Sequence, residues 1–423
     1  MIRLPFPTVL IALLVSACGQ DTTSTPEAPA GTDAGVGPDA ASACGSAWDA
    51  ACAAASCDPA SEPWSDCRIN GWAGYAAPPY CSVSTKYGGD DVALCAPVAK
   101  DGVQLHYGPS SYDDPAELEK FLLQPGGEST DCLFVRAPAK QGVFFGQYIG
   151  RSRPGVHHLQ LSYAAAADDG REEGSVGACG SIASTQFIAI AQSGSLDVPD
   201  LDIERPADAT DQGGLDFQGS AAPVDAGRMF ELTAHFVNTT QKPQLREAWV
   251  NLYYQPADSV VAALEPISLI SFGISVPPKS AGTVFRRACA TSVERTLSYL
   301  QGHSHEGMRR FTIWQHDAAK DALQQIYESY DPLEPATLYY SDLVTNDAAD
   351  PGAETPGGKS GTLSLAAGDS LVWECEFDNA TTRTVHDGGP AQGDQMCYTF
   401  GAYITPVGEG ANWTCLAASP TPL

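Results

Sequence analysis

Basic residues are scarce in this chain of 423 residues: 23 Lys and Arg stand against 51 Asp and Glu, a formal net charge of −28. Binding to nucleic acid or to an anionic membrane surface requires basic patches, so the charge argues against both kinds of partner. Long amphipathic helices are also scarce, whereas the chain contains 41 Gly and 31 Pro. This composition favours β-structure with many turns.

Two cysteine motifs are absent. Without C-x-x-C a zinc finger is disfavoured, and without C-x-x-C-H nothing indicates a c-type haem. The chain nevertheless has 13 cysteines, and setting aside Cys18 leaves 12, an even number. In an exported protein this predicts up to about six disulfides.

Only the N-terminus carries a long apolar run. Arg3, the apolar segment Val9 to Val15 and the small residues before Cys18 are typical of a signal peptide. The final Cys resembles a bacterial lipobox, which predicts a lipidated Cys18; the alternative is an ordinary signal peptide with a chance Cys. Gly19-Gln20 lacks the Asp that retains lipoproteins in the inner membrane, so we expect export and anchoring in the outer membrane, with no other contact with the bilayer.

The region after this predicted leader (residues 1–18) divides by composition. Residues 19–43 are rich in Thr, Pro, Ala, Gly and Asp and predict a disordered tether. Residues 44–95 predict a small disulfide-stapled module, whose pairing the sequence leaves open and to which we assign no chemistry. Its cysteines are Cys44, Cys52, Cys57, Cys67, Cys81 and Cys95.

The remainder predicts an all-β fold of two tandem antiparallel, jelly-roll-like β-sandwich domains, at 96–258 and 264–418, because short β-like runs alternate with turn signals. The join is expected within Pro256–Pro266. One segment conflicts with this prediction, since the apolar spacing of Asp317–Ser329 is closer to that of a helix. The predicted strands are 142–149, 157–163, 186–191, 228–238, 248–254, 267–276, 282–290, 309–314, 336–340, 361–365, 370–377 and 396–405.

Histidines form the most informative pattern. His303 and His305 are one residue apart and share a face of an extended strand, so they form a candidate pair of metal ligands. His157 and His158 are adjacent and can reach one metal only at a strand end or a β-bulge. Taken singly, each of these residues also has an ordinary interpretation: exposed loop histidines, a core histidine at His235 and a core methionine at Met396.

Taken in order, the motifs resemble those of the copper type II, ascorbate-dependent monooxygenases, the family of peptidylglycine α-hydroxylating monooxygenase and dopamine β-monooxygenase. The motifs are His157-His158, the lone His235, His303-Ser304-His305, and Asp394-Gln395-Met396-Cys397. The resemblance covers residues 96–418 and excludes the tether and the Cys-rich module.

The resemblance implies two copper ions per chain. His157, His158 and His235 match the electron-accepting site, and His303, His305 and Met396 match the oxygen-binding catalytic site. Because the two sets lie on different domains, we expect two separate, magnetically isolated centres. The resemblance also implies a strand at 324–330 and the disulfides Cys132–Cys179, Cys289–Cys415 and Cys375–Cys397.

Some positions depart from the peptide-amidating pattern. Gln301 stands where those enzymes have a substrate-binding Arg, and Tyr398 and Phe400 replace the Asn and Tyr that complete the anchor. Peptide amidation is therefore not expected, and the two aromatics line an apolar pocket or are simple strand packing. His106, His316 and His386 match no ligand position, although His386 lies close enough to Met396 to support the site.

The sequence predicts a copper monooxygenase that hydroxylates a C–H bond of a small organic substrate, using molecular oxygen and an ascorbate-like reductant. Two alternatives stay open: a copper-buffering surface lipoprotein on the same scaffold, and an extracellular binding module that has lost one metal.

Overall fold

The computed structural model describes residues 80–81, 85, 87, 93–94, 102–138, 142–180, 186–192, 211–216, 220–332, 335–340, 345–346, 363–388, 391, 393–410 and 413–417. The predicted leader and tether, with Cys18, lie outside these residues, as does most of the Cys-rich module. Among the described residues, no helix is both long and apolar enough to cross a membrane.

The described residues of the first half of the chain form short strands and one helix, α1 (Pro115–Lys120). Its strands are β1 (Tyr80–Cys81), β2 (Ala93–Leu94), β3 (Gly102–Tyr107), β4 (Leu122–Leu123), β5 (Glu128–Arg136), β6 (Phe144–Ser152), β7 (Val156–Tyr163), β8 (Val176–Gly177), β9 (Gln186–Gln192), β10 (Asp211–Asp216), β11 (Ser220–Pro223), β12 (Met229–Val237), β13 (Gln244–Leu245) and β14 (Ala248–Gln255).

A single 3-10 turn, Ala257–Ser259, separates these strands from the second half. The strands there are β15 (Ala262–Ser271), β16 (Ser275–Val276), β17 (Ser280–Ala290), β18 (Arg295–Ser304), β19 (Met308–Asp317), β20 (Ala322–Ser329), β21 (Thr337–Tyr339), β22 (Thr345–Asn346), β23 (Ser364–Leu365), β24 (Ser370–Asn379), β25 (Val385–His386), β26 (Cys397–Thr405) and β27 (Trp413–Ala417).

Each half forms a β-sandwich, so the fold class is all-β with two tandem sandwich domains, as predicted. In the first, the sheet β8-β5-β12-β7-β9 packs on the sheet that contains β3, β14 and β6. In the second, β17-β24-β19-β20 packs on the sheet that contains β18, β26 and β15. Alternate residues enter the core between the two sheets along β12, at Leu232, Ala234 and Phe236, and along β24, at Leu371, Trp373, Cys375 and Phe377. This is the pattern expected of antiparallel sandwiches.

The two sandwiches share one long sheet. Parallel pairing of Ser220 with Ala262 and of Ala221 with Ala263 joins β11 of the first domain to β15 of the second. β22, from the second half of the chain, pairs with β10 of the first. The domains are therefore connected by backbone hydrogen bonds across the sheet as well as by the chain segment between β14 and β15.

The helical periodicity of Asp317–Ser329 does not produce a helix. The segment turns after β19 and returns as β20, paired antiparallel to β19 from Phe311–Ser329 to Asp317–Ala322. The family-based expectation of a strand at 324–330 is therefore confirmed to within one residue at the C-terminal end, and tertiary pairing overrides the local apolar spacing.

Three disulfides link the described residues, and they are the three pairs that the resemblance implied. They are Cys132–Cys179, Cys289–Cys415 and Cys375–Cys397. The first lies in the first sandwich, and the other two lie in the second. Each domain is thus cross-linked within itself.

Both domains contain the same Asn-centred corner. Asn238 follows β12 and Asn379 ends β24; each side-chain amide donates to the backbone carbonyl four residues later. The Thr two residues after each Asn, Thr240 and Thr381, donates its backbone N–H and its hydroxyl to the Asn Oδ1. This repetition makes β12 and β24 equivalent strands in the two sandwiches.

Candidate metal centre

His158 and His235 lie opposite each other on neighbouring strands. Leu232, Ala234 and Phe236 of β12 belong to the first core, so the intervening His235 points to the outer face of the sheet. The pairing of His235 with His158 places both side chains on that face. The distance from His235 Nδ1 to His158 Nε2 is 3.4 Å.

A β-bulge occurs at His157, as predicted from the adjacency of the two histidines. β7 pairs His158 with His235 and Val156 with Phe236, so His157 has no opposite residue. The extra residue turns His157 to the same side as its neighbour, which a regular strand does not allow. Its ring centroid is 5.2 Å from that of His158 and 5.1 Å from that of His235.

The second pair of histidines lies at the end of β18. Leu300 packs into the second core, and a Cβ on Gly302 would lie 2.9 Å from the ring of Phe311, so these two positions face inward. His303 therefore faces outward from the second sandwich. His305 follows the strand, and Gly307, at a φ of +101°, turns the chain into β19.

The outer faces of the two sandwiches meet at these histidines. The ring centroid of His303 is 5.0 Å from that of His158 and 5.3 Å from that of His157. The ring centroid of His305 is likewise 5.3 Å from that of His157. We call His157, His158, His235, His303 and His305 the imidazole cluster; all five side chains are buried.

This arrangement corrects the expectation of two well-separated centres. The two predicted sets of ligands do lie on different domains, but those domains close on each other at the histidines. Two groups of three rings have ligand atoms within 4.8 Å of one another: His157, His158 and His235 form one, and His157, His303 and His305 form the other. His157 belongs to both groups.

Ring nitrogens without a hydrogen-bond partner show that the cluster suits a metal. His157 Nδ1 and Nε2, His158 Nδ1 and His305 Nε2 are buried and have no partner among the described residues. A buried, unsatisfied nitrogen costs about 1–3 kcal/mol, and a metal ion relieves that cost. Two nitrogens bound at 2.0–2.1 Å to one tetrahedral ion lie about 3.3 Å apart, close to the measured His158–His235 separation.

Two rings are oriented by partners outside the cluster. His305 Nδ1 lies 3.0 Å from the carbonyl oxygen of Asp394, which only accepts, so Nδ1 carries the proton and Nε2 is the available ligand atom. His235 Nε2 lies 2.6 Å from Glu128 Oε1, so the same reasoning leaves His235 Nδ1 to face the cluster. The sequence did not reveal Glu128, because no short-range motif links it to the histidines. Asp394 belongs to the motif that contains Met396, but its hydrogen bond to His305 was not predicted.

Burial keeps the imidazoles of His157, His158, His303 and His305 neutral. It lowers the pKa of His157, His158 and His303 well below the ordinary value, and the neighbouring rings add to the effect. For His305, burial and His235 together lower the pKa to about 4. Metal coordination requires unprotonated imidazole, so these rings are ready to bind at neutral pH.

Met396 lies beside the second pair of histidines. Ser304 Oγ donates to the carbonyl oxygen of Met396 at 2.8 Å, immediately before β26 begins at Cys397. The Met396 side chain packs against an apolar group that contains Tyr398 and Phe400. The rings of these two aromatics are centred 6.0 and 6.1 Å from that of His303.

Gln301 shares the outward side of this sheet, since it pairs with Phe400 across β18 and β26. It stands where the peptide-amidating enzymes carry Arg. The position beside His303 is thus lined by an amide and aromatic rings.

The other three histidines lie apart from the cluster. His106 Nε2 is 2.8 Å from Glu247 Oε1, and the His106 ring stacks on Trp249. His316 Nε2 is 3.1 Å from Asp321 Oδ1. His386 has an exposed side chain, while its carbonyl oxygen accepts from the backbone N–H of Gln395 at 2.7 Å.

Comparison with known proteins adds no family. No family model matches the sequence, and no curated protein matches it. The similar solved structures include "Crystal Structure of the STIV MCP", at 10% identity and a TM-score of 0.29, covering 67% of this chain and 93% of that one. The "major capsid protein P2 from Bacteriophage PM2" has 6% identity and a TM-score of 0.24, with 67% and 99% covered. Similarities this weak carry no argument about function.

Proposed function

We propose that this protein is a copper-dependent monooxygenase that hydroxylates a C–H bond of a small organic substrate. The observation that carries the proposal is the buried imidazole cluster, whose unsatisfied nitrogens point inward from two domains. Imidazole suits both oxidation states of copper, and a thioether favours Cu(I). Together with the order of the histidine and methionine motifs, this donor set supports copper over zinc.

Five imidazoles and the Met396 thioether together give six donors, enough for two ions with three ligands each. Five imidazoles complete only one group of three, because His157 cannot serve both groups at once. With His157 assigned to His158 and His235, the pair His303 and His305 requires a sixth donor. Met396 is the candidate, since it lies beside that pair and carries a soft sulfur.

Copper bound here would supply one-electron transfer and activation of molecular oxygen. The protein contributes the rest. Asp394 and Glu128 fix which nitrogens of His305 and His235 face the cluster, and the meeting of the two sandwiches excludes water from it. The aromatic group of Tyr398 and Phe400 offers an apolar surface beside His303 and favours an uncharged substrate over a carboxylate.

The principal alternative is a non-catalytic copper-binding surface lipoprotein. Its support is the depth of burial: Tyr398 and Phe400 are only 3% and 1% exposed, so a substrate reaches His303 only if the domains separate. Lipid anchoring at Cys18, an ascorbate-like reductant and an outer-membrane location remain proposals that rest on the sequence.

Oxygen consumption distinguishes the two functions. Copper-loaded protein with ascorbate is tested against a panel of uncharged aromatic and aliphatic compounds, beside His305→Ala and a control, His316→Ala, whose imidazole lies outside the cluster. Substrate-dependent oxygen uptake and a hydroxylated product, lost in His305→Ala and kept in His316→Ala, support the enzyme. Tight copper binding without turnover on any compound supports storage.

A further inference from the structure

Glu128 touches both domains at the imidazole cluster. It is the first residue of β5, and its Oε1 lies 2.6 Å from Nε2 of His235 in the same sheet. The same Oε1 accepts a hydrogen bond from the backbone N–H of Ala391, which lies in the second domain between β25 and β26. One carboxylate oxygen thus joins a first-domain histidine to a second-domain backbone group.

The segment that contains Ala391 also carries the parts that hold the second pair of histidines. Asp394, three residues later, accepts from His305 Nδ1 through its carbonyl oxygen, and Met396 follows two residues after that. Gln395 donates its side-chain amide to the carbonyl of Glu306. A force that positions Ala391 therefore acts on the same short segment that positions His305 and Met396.

We propose that Glu128 is a positioning residue that latches the two domains at the cluster. It holds Nε2–H of His235, which leaves Nδ1 to face the other rings, and it holds the Ala391 amide, which keeps the Asp394–Met396 segment against the first domain. The copper-dependent part of this inference rests on the proposed function; the latch itself does not.

The proposed role of Glu128 depends on the length of its side chain as well as on its charge. Asp at this position keeps the charge but is one methylene shorter, so it cannot meet both partners from the same backbone position. Gln keeps the length and a carbonyl oxygen that accepts two hydrogen bonds, but it is neutral. The informative set is therefore Glu128→Ala, Glu128→Asp and Glu128→Gln, with Glu173→Ala, an exposed carboxylate of the same domain, as the control.

The first measurement is amide hydrogen exchange of the metal-free protein. Loss of one hydrogen bond, about 1.4 kcal/mol, accelerates exchange of the Ala391 amide about tenfold in Glu128→Ala and Glu128→Asp. Glu128→Gln and Glu173→Ala exchange like the wild type at that position. A uniform rise across β24 and β26 would indicate general destabilisation and overturn the latch, as would unchanged exchange at Ala391.

The second measurement is the copper affinity of each of the two proposed sites, measured separately. Second-layer partners of metal-binding histidines contribute about 10- to 100-fold in affinity, so Glu128→Ala weakens Cu(II) binding at the His157/His158/His235 set by that factor. Binding at the other set falls less. If exchange at Ala391 rises while both copper affinities stay at the wild-type level, Glu128 does not position His235 and the proposal fails.

The two variants that keep a polar side chain protect the test against misfolding. If Glu128→Ala does not fold, the Asp and Gln variants decide the question. Because exchange is measured without copper or oxygen, a protein that proves to have no hydroxylase activity still gives a clear answer on the latch.

Discussion

His158 and His235 lie on paired strands in the interior of a five-stranded sheet, whereas His303 and His305 lie where β18 runs out into a turn. The first group contains only imidazoles and is supported by a carboxylate, Glu128. The second has two imidazoles, one of them supported by a backbone carbonyl, and Ser304 between them donates to the backbone of Met396. Two domains of the same architecture thus present different donors on non-equivalent sheets.

This difference has a chemical meaning for copper. A carboxylate beside an all-imidazole group stabilises the higher positive charge of Cu(II). A neutral carbonyl and a thioether favour Cu(I). If copper occupies both groups as proposed, this asymmetry gives the two ions different reduction potentials, and the predictions below test it.

The largest effect is expected at Met396. Met396→Leu conserves volume and should change the free energy of unfolding by less than about 1.5 kcal/mol. It should nevertheless weaken Cu(I) binding at the second group and abolish turnover, because a soft donor is lost. Met396→His should retain copper there and lose hydroxylation. The measurements are Cu(I) affinity, thermal stability and oxygen uptake; a Leu variant with normal Cu(I) affinity would show that Met396 is ordinary core.

The number of copper ions bound per chain tests which histidines belong to each site. The wild type should bind two copper ions, and His235→Ala should lose or weaken one. His157→Ala should weaken binding at the set of His157, His158 and His235 and leave a second ion on His303, His305 and Met396; loss of both ions would show that His157, rather than Met396, completes the second set. Oxidised protein with two Cu(II) ions should show magnetic interaction between them, since the rings of the two groups are about 5 Å apart. Two isolated signals would mean that the domains separate in solution.

Acid should destabilise the metal-free protein. At neutral pH the rings of His157, His158, His303 and His305 are unprotonated in the folded chain and largely unprotonated in the unfolded chain. As the pH falls below 6.5, the histidines of the unfolded chain become protonated while the buried rings of the folded chain do not, so the free energy of unfolding decreases. For His305 this decrease continues to about pH 4, where its ring is protonated in the folded chain as well. Each of the four rings with lowered pKa contributes up to about 1.4 kcal/mol per pH unit.

Urea unfolding at pH 7.5, 6.0 and 5.0 measures this effect. If the free energy of unfolding is the same at the three values, His303 and His305 are solvated and the domain contact does not persist in solution.

A smaller effect is expected at Gly302, which lets β18 lie against the ring of Phe311. Gly302→Ala should cost about 1–3 kcal/mol, because a new Cβ requires the ring or the strand to shift. The displacement should weaken copper binding through His303 more than through His235. Gly170→Ala, whose Cβ would meet nothing within 4 Å, is the matched control. Equal thermal stability of the two variants would contradict this packing.

Local patterns in the sequence predicted about half of the strands and one irregularity. Alternating apolar residues located β7, β12, β24 and β26 to within two residues, and the adjacency of His157 and His158 predicted the bulge, because side chains alternate along a regular strand. The prediction of a strand at 267–276 was wrong at both ends, since β15 runs from Ala262 to Ser271. β3, β5 and β18 were not predicted. The three disulfide pairs followed from the resemblance. The apolar spacing of Asp317–Ser329 wrongly suggested a helix, because pairing with β19 outweighs the local preference for helix.

The approach of the two domains was not predictable from the sequence. Nothing in the order of residues shows that the outer face of β7 and β12 closes on that of β18 and β26. Glu128 and Ala391 are 263 positions apart, yet one hydrogen bond joins them. The sequence by itself determined the candidate donors and placed His157, His158, His235 and Met396 on predicted strands. Only the tertiary structure decided that they form one cluster, because that depends on how two finished sandwiches pack.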